Sequence, residues 1–193
     1  ARAMINGMLK KGFPKEEIIA SAKSEKTLSY ISDGMGVTAE SENANVAKNA
    51  DIVILAVKPV YMEDVINEIK GEISLRKIVV TLAPGKTIEW LEKKFGKRIK
   101  LVRTMPNTPA MVSEGMTALC PNDKITEKDL KVVRKIFDSF GKAEVVSENI
   151  MDAVVGVSGS SPAFVFMFIE AMADAAVAEG MPRAQAYKFA AQT

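Results

Sequence analysis

Two continuous runs of apolar, mostly β-branched residues constrain the fold of this chain more than any other feature. They are residues 51–57 (DIVILAV) and residues 77–83 (KIVVTLA). Such runs are typical of strands that are buried on both faces, as in the parallel sheet of an α/β protein. We therefore expect these two segments to lie inside a sheet that helices cover on both sides.

Helical patterns alternate with strand patterns along the first three quarters of the chain. Short turns join them, which indicates a doubly wound sheet with right-handed crossovers. Further strands are expected at residues 17–20, 37–38, 99–104, 116–119 and 144–146. Helices are expected at residues 3–9, 26–33, 43–48, 61–69, 88–95 and 127–140.

The character of the sequence changes after Asn149, where strand patterns end and an alanine-rich helical region begins. We expect an α/β, Rossmann-like domain with a mostly parallel sheet over residues 1–149, and the start of an all-helical domain over residues 150–193. A Rossmann fold opens with a strand and a Gly-rich turn that carries the dinucleotide. We expect both to precede Ala1.

The composition excludes several classes of function. The chain has no histidine and a single cysteine, Cys120, so it has no histidine base, no His/Cys metal site and no internal disulfide. The net charge is only +2, without the basic stripe of a nucleic-acid-binding protein. No signal peptide is recognised, and the longest apolar stretch, residues 163–169, is far shorter than the ~20 residues of a membrane span. We expect a cytoplasmic protein that binds neither nucleic acid nor membrane.

Ligands of doubly wound sheets bind beyond the carboxyl ends of the strands, so the residues there are candidates for cofactor binding. Ser21, Lys23 and Ser24 follow the strand expected at residues 17–20, where NAD-specific folds usually place an acidic residue. Hydroxyl and ammonium donors suit a ribose 2′-phosphate. We favour NADP over NAD, and a solvated loop is the alternative.

Two more strand ends carry candidate contacts with a cofactor. The run at residues 51–57 ends in Ala56, Val57, Lys58 and Pro59, where small residues would let the backbone approach a flat ring and proline redirects the chain. Asn107 lies between two prolines and can both donate and accept, as recognition of the nicotinamide carboxamide requires. The alternatives are an ordinary strand end and an asparagine that holds a turn.

A serine cluster precedes the long helix expected at residues 163–179. Its members are Ser158, Gly159, Ser160 and Ser161, and Pro162 suits the first helical position. Hydroxyls and free amides at a positive helix end bind carboxylate or phosphate, whereas an ordinary N-cap needs one serine. We predict an anion site here. The phenylalanine-rich residues that follow indicate a core or a subunit interface.

Four stretches of the chain closely resemble pyrroline-5-carboxylate reductases. They are residues 3–12 (AMINGMLKKG), 51–59 (DIVILAVKP), 102–119 (VRTMPNTPAMVSEGMTAL) and 152–164 (DAVVGVSGSSPAF). The resemblance implies that residues 56–59 contact the dinucleotide, that Asn107 lies beside the nicotinamide, and that residues 158–161 lie near the substrate carboxylate. It also places Glu148 at the substrate pocket. Ser161 departs from the family, which has glycine there.

The resemblance further implies an activity, the reduction of a cyclic imine carboxylate to proline by hydride transfer from NAD(P)H. It implies a homodimer or higher homo-oligomer formed through the helical domain. A protonated imine is already an electrophile, which agrees with a chain that has no obvious acid–base pair. One alternative, a 3-hydroxy-acid dehydrogenase, needs a lysine in the helix after the serine cluster, and residues 162–168 contain none. The other alternative, a non-enzymatic NADP-binding sensor, would need no anion site.

Overall fold

The computed structural model describes all 193 residues and contains two sheets. A small parallel sheet pairs the first two strands, and a five-stranded sheet holds the other five in chain order. The strands are β1 (Ile19–Ser21), β2 (Thr38–Glu40), β3 (Ile52–Leu55), β4 (Ile78–Thr81), β5 (Lys100–Met105), β6 (Gly115–Pro121) and β7 (Gly141–Val145). Each lies within a few residues of a strand expected from the sequence.

Nine helices connect and cover these strands. They are α1 (Arg2–Lys10), α2 (Glu25–Ser29), α3 (Asn43–Asn49), α4 (Met62–Ile69), α5 (Ile88–Phe95), α6 (Glu127–Phe137), α7 (Met151–Val154), α8 (Ser161–Ala178) and α9 (Arg183–Gln192). Thr87 and Thr126 cap α5 and α6 with their side chains, because a hydroxyl satisfies an N–H that the first turn leaves free. The expected helix at residues 26–33 is shorter as α2 and continues as one wide π turn, Tyr30–Gly34.

The sheet is mostly parallel, as predicted, with one reversal. β3, β4 and β5 run parallel, and so do β6 and β7, but β5 and β6 are antiparallel, with Val102 opposite Pro121. Only residues 106–114, which contain the short turn Thr108–Val112, lie between β5 and β6, and a parallel crossover needs a dozen or more residues. The one antiparallel pair agrees with the expectation of a mostly parallel sheet, although the sequence did not indicate which connection would be reversed.

Two apolar cores cover opposite sides of the five-stranded sheet. One contains residues of α1 and α6, and the other contains residues of α3, α4 and α5. All four residues of β4 are buried, as its sequence predicted. β3 differs from the prediction, because Ile52 and Ile54 are only half-buried at the edge of the sheet.

Residues Glu148–Ala178 form one continuous helical run of 31 residues, which we call the helical run. It is longer than the sequence suggested, because helical turns precede α8. Its length and apolar composition are those of a membrane-crossing helix, a criterion that core helices of soluble proteins also meet. α8 packs on α9 through Ala173, Ala186 and Ala190, while residues 164–168 stay exposed.

Candidate active site

The facing edges of β1 and β3 line one cleft of about 1110 Å³ along their whole length. Ser21 lies at one side of this cleft, and Ala56 and Val57 lie at the other. Residues of α1, α3 and α6 also line it. The structure thus brings together two of the three strand ends that the sequence singled out.

The hydroxyl of Ser21 begins a chain of hydrogen bonds. It donates to Oδ1 of Asn43 at 2.7 Å, and Nδ2 of Asn43 donates to Glu68 at 2.5 Å. Ser24 caps α2, because its Oγ accepts the N–H of Thr27 at 3.3 Å. The Ser24 hydroxyl is therefore already used in holding the local turn.

Two lysines that follow the ends of β1 and β3 in the chain are left without an ionic partner. Lys23 and Lys58 are both exposed, and neither forms a salt bridge in the structure. Pro59 starts the short turn Pro59–Tyr61 directly after Lys58, so it ends the extended chain as expected. Because these two ammonium groups are unpaired, they can attract an anion to this edge of the sheet.

Asn107 connects the loop after β5 with the serine cluster. Its Oδ1 accepts the N–H of Met116 at 2.8 Å, and its Nδ2 donates to Oγ of Ser158 at 3.2 Å. The side chain thus holds the loop between β5 and β6 through Met116, nine residues further along the chain, and not through its own backbone. One Nδ2 hydrogen and one Oδ1 lone pair remain for a ligand.

The serine cluster does not lie at the start of a helix, where the sequence predicted it, but inside one. Val155–Gly159 is a π turn within the helical run, and the N–H groups of Ser160 and Ala163 donate to Val155 and Ser160 at 2.9 and 3.1 Å. The amide of Ser160 is therefore not free, contrary to the expectation. A wide turn accommodates Pro162, which has no N–H and clashes with the carbonyl of the preceding turn.

The hydroxyls of the cluster are the groups that remain available. Ser160 is exposed and forms no side-chain hydrogen bond, whereas Ser158 is held by Asn107. Ser161, at the position where the resemblance implies glycine, directs its Oγ to the carbonyl of Gly156 at a long 3.5 Å. Gly159 approaches the sheet so closely that an added Cβ would lie 2.8 Å from Cε of Met105.

Glu148 lies at the junction of the sheet and the helical run. Its Oε1 accepts from Nη1 of Arg103 at 3.0 Å and from the N–H of Ile88, at the start of α5, at 2.9 Å. Arg103 is 6% exposed. Burial and the nearby charge of Glu148 raise the pKa of the Cys120 thiol, and Arg103 opposes them only in part.

The structure thus gathers the predicted residues into two groups. Asn107, Ser158 and Glu148 lie where β5 meets the helical run, while Ser21, Ala56 and their neighbours lie at the cleft. No hydrogen bond joins the two groups. An extended dinucleotide has two ends, and two separated groups at one sheet edge are consistent with that shape.

Known proteins similar to this chain cover nearly all of it. A pyrroline-5-carboxylate reductase of Escherichia coli strain K12 is 46% identical over 193 residues, which are 99% of this chain and 71% of that protein. One of Methanosarcina acetivorans is 41% identical over 192 residues and is covered to the same extent. The chain belongs to the pyrroline-5-carboxylate reductase family. Its residues 148–193 match the family model described as pyrroline-5-carboxylate reductase dimerisation, and residues 1–85 match one described as NADP oxidoreductase, coenzyme F420-dependent.

Solved structures agree with membership of the pyrroline-5-carboxylate reductase family. The reductase of Coxiella burnetii superposes with a TM-score of 0.94 at 32% identity, covering 99% of this chain and 72% of that one. The Plasmodium falciparum reductase, solved with NADP bound, has a TM-score of 0.88 at 32% identity, covering 99% of this chain and 70% of that one. A prephenate dehydrogenase of Aquifex aeolicus, 21% identical at a TM-score of 0.67, shares the fold alone.

Two residues of this member of the pyrroline-5-carboxylate reductase family were missed by the sequence reasoning. The sequence did indicate Arg103, since a charged residue inside an apolar strand usually has a buried partner. Nothing in the sequence indicated Asn43, because an asparagine at the start of a short helix is common. Only the fold shows that it contacts Ser21.

Proposed function

We propose that this protein reduces 1-pyrroline-5-carboxylate to L-proline with NADPH. The observation that carries the proposal is the hydrogen bond between Asn107 and Ser158, because it joins a strand end suited to a nicotinamide with a serine cluster suited to a carboxylate. The named relatives and solved structures support this activity, since they are pyrroline-5-carboxylate reductases over the whole chain.

The residues that follow the carboxyl ends of β1 and β3 fit NADPH better than NADH. Lys23 and Lys58 offer two unpaired ammonium groups, which favour the extra phosphate, and the hydroxyl of Ser21, which donates to Asn43, can still accept a hydrogen bond. No carboxylate directly follows β1, where a free ribose 2′-hydroxyl would be held. The Plasmodium relative was solved with NADP, which supports the same choice. We assign Ala56, Val57, Pro59 and Asn107 to the same cofactor, with Ser24 shaping the turn.

When bound, the reduced nicotinamide supplies the hydride. The chain's own residues then have only to position the imine, since a protonated imine accepts hydride without a strong general acid. We assign Ser158, Ser160 and Ser161 to the substrate carboxylate through their hydroxyls, with Gly159 allowing close approach and Glu148 bordering the pocket. Correct orientation of two reactants can lower a barrier by about 7 kcal/mol or more.

Subunit organisation forms part of the proposal. We propose a homodimer or higher homo-oligomer that covers the exposed face of α8, because residues 148–193 match a model described as dimerisation. We retain the division into a dinucleotide-binding domain, residues 1–149, and a helical domain from residue 150. The facing edges of β1 and β3 are what a further strand between them would leave. We propose a cytoplasmic location, because the single cysteine is free and disulfides are rare in that compartment.

The test is a turnover assay on the full-length protein. NADPH and 1-pyrroline-5-carboxylate are mixed with enzyme, NADPH oxidation is followed by absorbance, and proline is identified by mass spectrometry. We expect proline in a one-to-one ratio to NADPH consumed, and slower turnover with NADH. NADPH binding without any turnover would favour the sensor instead.

A variant at the serine cluster tests the carboxylate assignment. Ser160→Ala removes an exposed hydroxyl that has no partner within the protein, so the fold should be unaffected. We expect the KM for the imino acid to rise more than the KM for NADPH. Ser29→Ala, at an exposed serine of α2, is the control. An unchanged KM for the imino acid would contradict the assignment.

A further inference from the structure

Arg103 places a buried positive charge in the middle of the sheet. β5 lies between β4 and β6, and Arg103 stands opposite Thr81 on one side and Cys120 on the other. The residue is 6% exposed, and arginine is almost never buried to this degree unless it is paired. An apolar residue of similar volume would often stabilise such a position as well or better. The charge therefore indicates a purpose beyond packing.

The partner of Arg103 is the residue that starts the helical run. Oε1 of Glu148 accepts from Nη1 of Arg103 at 3.0 Å and from the N–H of Ile88 at 2.9 Å. One carboxylate oxygen thus joins the central strand, the start of α5 and the start of the helical run. The positive end of α5 and the guanidinium both attract this carboxylate.

A second tie joins the same two elements further along. Asn107 lies four residues beyond Arg103, Ser158 lies ten residues beyond Glu148, and their side chains are hydrogen-bonded at 3.2 Å. Met151, near the start of the run, is also buried against residues of β6. The first tie and this apolar contact set the direction in which the run leads to the second tie, so loss of the first tie would let the run shift relative to Asn107.

We propose that Arg103 is a positioning residue. Through Glu148 it fixes the start of the helical run against β5, and so holds Ser158 and the rest of the serine cluster opposite Asn107. Arg103 itself needs to touch neither substrate nor cofactor. The inference rests on the proposed function, because the positioned residues are those assigned to nicotinamide and carboxylate.

The first test is a kinetic double-mutant cycle on the full-length protein. Arg103→Met should lower kcat/KM for the imino acid by about 10- to 100-fold, since a misplacement of about 1 Å has effects of that size. In a Glu148→Ala background the same substitution should have almost no further effect. Arg103→Lys should recover part of the loss. Arg134→Met, at an exposed ion pair on α6, is the matched control and should change little.

The kinetic outcomes separate this role from general stabilisation. We expect the KM for the imino acid to rise more than the KM for NADPH, because the helical run moves and the cleft does not. An equal loss from Arg103→Met with and without Glu148 would overturn the proposal. If Arg103→Met does not fold, Arg103→Gln takes its place in the cycle, because it removes the charge and shortens the side chain but keeps a polar group. Wild-type kinetics in a folded Arg103→Gln variant would then overturn the proposal.

Tryptophan fluorescence tests the positioning role of Arg103 without depending on enzyme activity. Trp90 is the only tryptophan and lies two residues beyond Ile88, in the first turn of α5. We expect Arg103→Met and Glu148→Ala to shift its fluorescence alike, and Arg134→Met to leave it unchanged. If the wild type turned over no imine, the proposed function would fail while this test still stood. Unchanged fluorescence in a folded Arg103→Met variant would overturn the positioning role.

Discussion

The amide of Asn107 donates to the hydroxyl of Ser158 across 51 residues of sequence, at 3.2 Å. The same asparagine accepts the N–H of Met116 and so also holds the loop between β5 and β6. One side chain therefore fixes both the loop that ends a central strand and the position of the helical run above it. The two halves of the proposed active site meet at this residue.

Asn107→Ala should destabilise the protein more than Ser158→Ala. Loss of Asn107 removes two hydrogen bonds and leaves the Met116 N–H without its acceptor, whereas loss of the Ser158 hydroxyl removes one bond. We expect the free energy of unfolding to fall by about 1–3 kcal/mol and about 1 kcal/mol respectively. Urea unfolding measures both. Asn67→Ala, on the exposed side of α4, should change little, and a larger loss from Ser158→Ala than from Asn107→Ala would contradict the account.

Asp129 should make stability depend on acid pH. Burial alone would raise the pKa of Asp129, but hydrogen bonds from Lys100 and Thr126 outweigh it and lower the pKa to about 2, from the usual 3.8. Because the folded pKa is the lower one, this contribution is complete above pH 3.8 and is lost as the pH falls through about 2. The side chain is 15% exposed, and the contribution is roughly 2 kcal/mol.

Urea unfolding of Asp129→Asn tests this contribution. The gap in the free energy of unfolding between wild type and variant should be constant near neutral pH and should shrink from about pH 4 downwards. Asp64→Asn, at an exposed residue of α4 that forms no ion pair, should show no such pH dependence. A gap that stays constant down to pH 2 would show that the Lys100–Asp129 pair does not stabilise the fold.

Cys120 should be unreactive in the folded protein. Burial, with the charge of Glu148, raises the pKa of this thiol, and the residue is 2% exposed, so little thiolate meets the reagent near pH 8. We expect iodoacetamide to label the native protein far more slowly than the urea-unfolded protein. Mass spectrometry counts the label, and the unfolded protein, with one cysteine, should carry one. Rapid labelling of native protein would mean that β6 opens readily.

Patterning along the chain predicted most of the fold. The runs at residues 51–57 and 77–83 became β3 and β4, and the capping threonines Thr87 and Thr126 marked two helix starts. Patterning did not predict the antiparallel direction of β6, because alternation of side chains is the same in either direction. Patterning also predicted that β3 is buried on both faces, whereas two of its residues are half-buried. The exposure of a strand depends on whether it lies at the edge or in the middle of a sheet, and the local sequence does not indicate that position.

The candidate site was harder to predict, because its key contacts join residues far apart in sequence. Short motifs identified Asn107 and the serine cluster, but nothing local indicated that Asn107 and Ser158 are bonded, or that Arg103 pairs with Glu148. The π turn at Val155–Gly159 was also unexpected. Serines, glycines and a proline suggest a loop, and the structure keeps them helical by widening one turn.

The exposed phenylalanines of α8 should control self-association. Phe166 is 66% exposed, and its neighbours Phe164 and Phe168 are similarly exposed, so a second copy of the helical domain would bury them. We expect Phe166→Ser to weaken the dimer at least about tenfold, corresponding to about 1.4 kcal/mol. Analytical ultracentrifugation measures the dissociation constant. Leu75→Ser, at an exposed residue outside α8, is the control, and an unchanged constant for Phe166→Ser would place the interface elsewhere.

Gly141 should tolerate no side chain, whereas Gly71 should tolerate one. A Cβ built on Gly141, at the start of β7, would lie 1.9 Å from the carbonyl oxygen of Gly115 on β6, and backbone on both strands would have to move. Gly71, in the turn after α4, has open space around it. We expect Gly141→Ala to lower the free energy of unfolding by more than about 3 kcal/mol.

Gly71→Ala should be neutral or should raise the free energy of unfolding by up to about 1 kcal/mol, because alanine restricts the unfolded chain. Urea unfolding of both variants gives the comparison, and circular dichroism checks that each folds. Because the two substitutions add the same methyl group, the unfolded-state effect is similar in both and the difference reports the clash. Equal stability of the two variants would mean that β6 and β7 do not pair as described, and the path of the chain into the helical run would then be wrong as well.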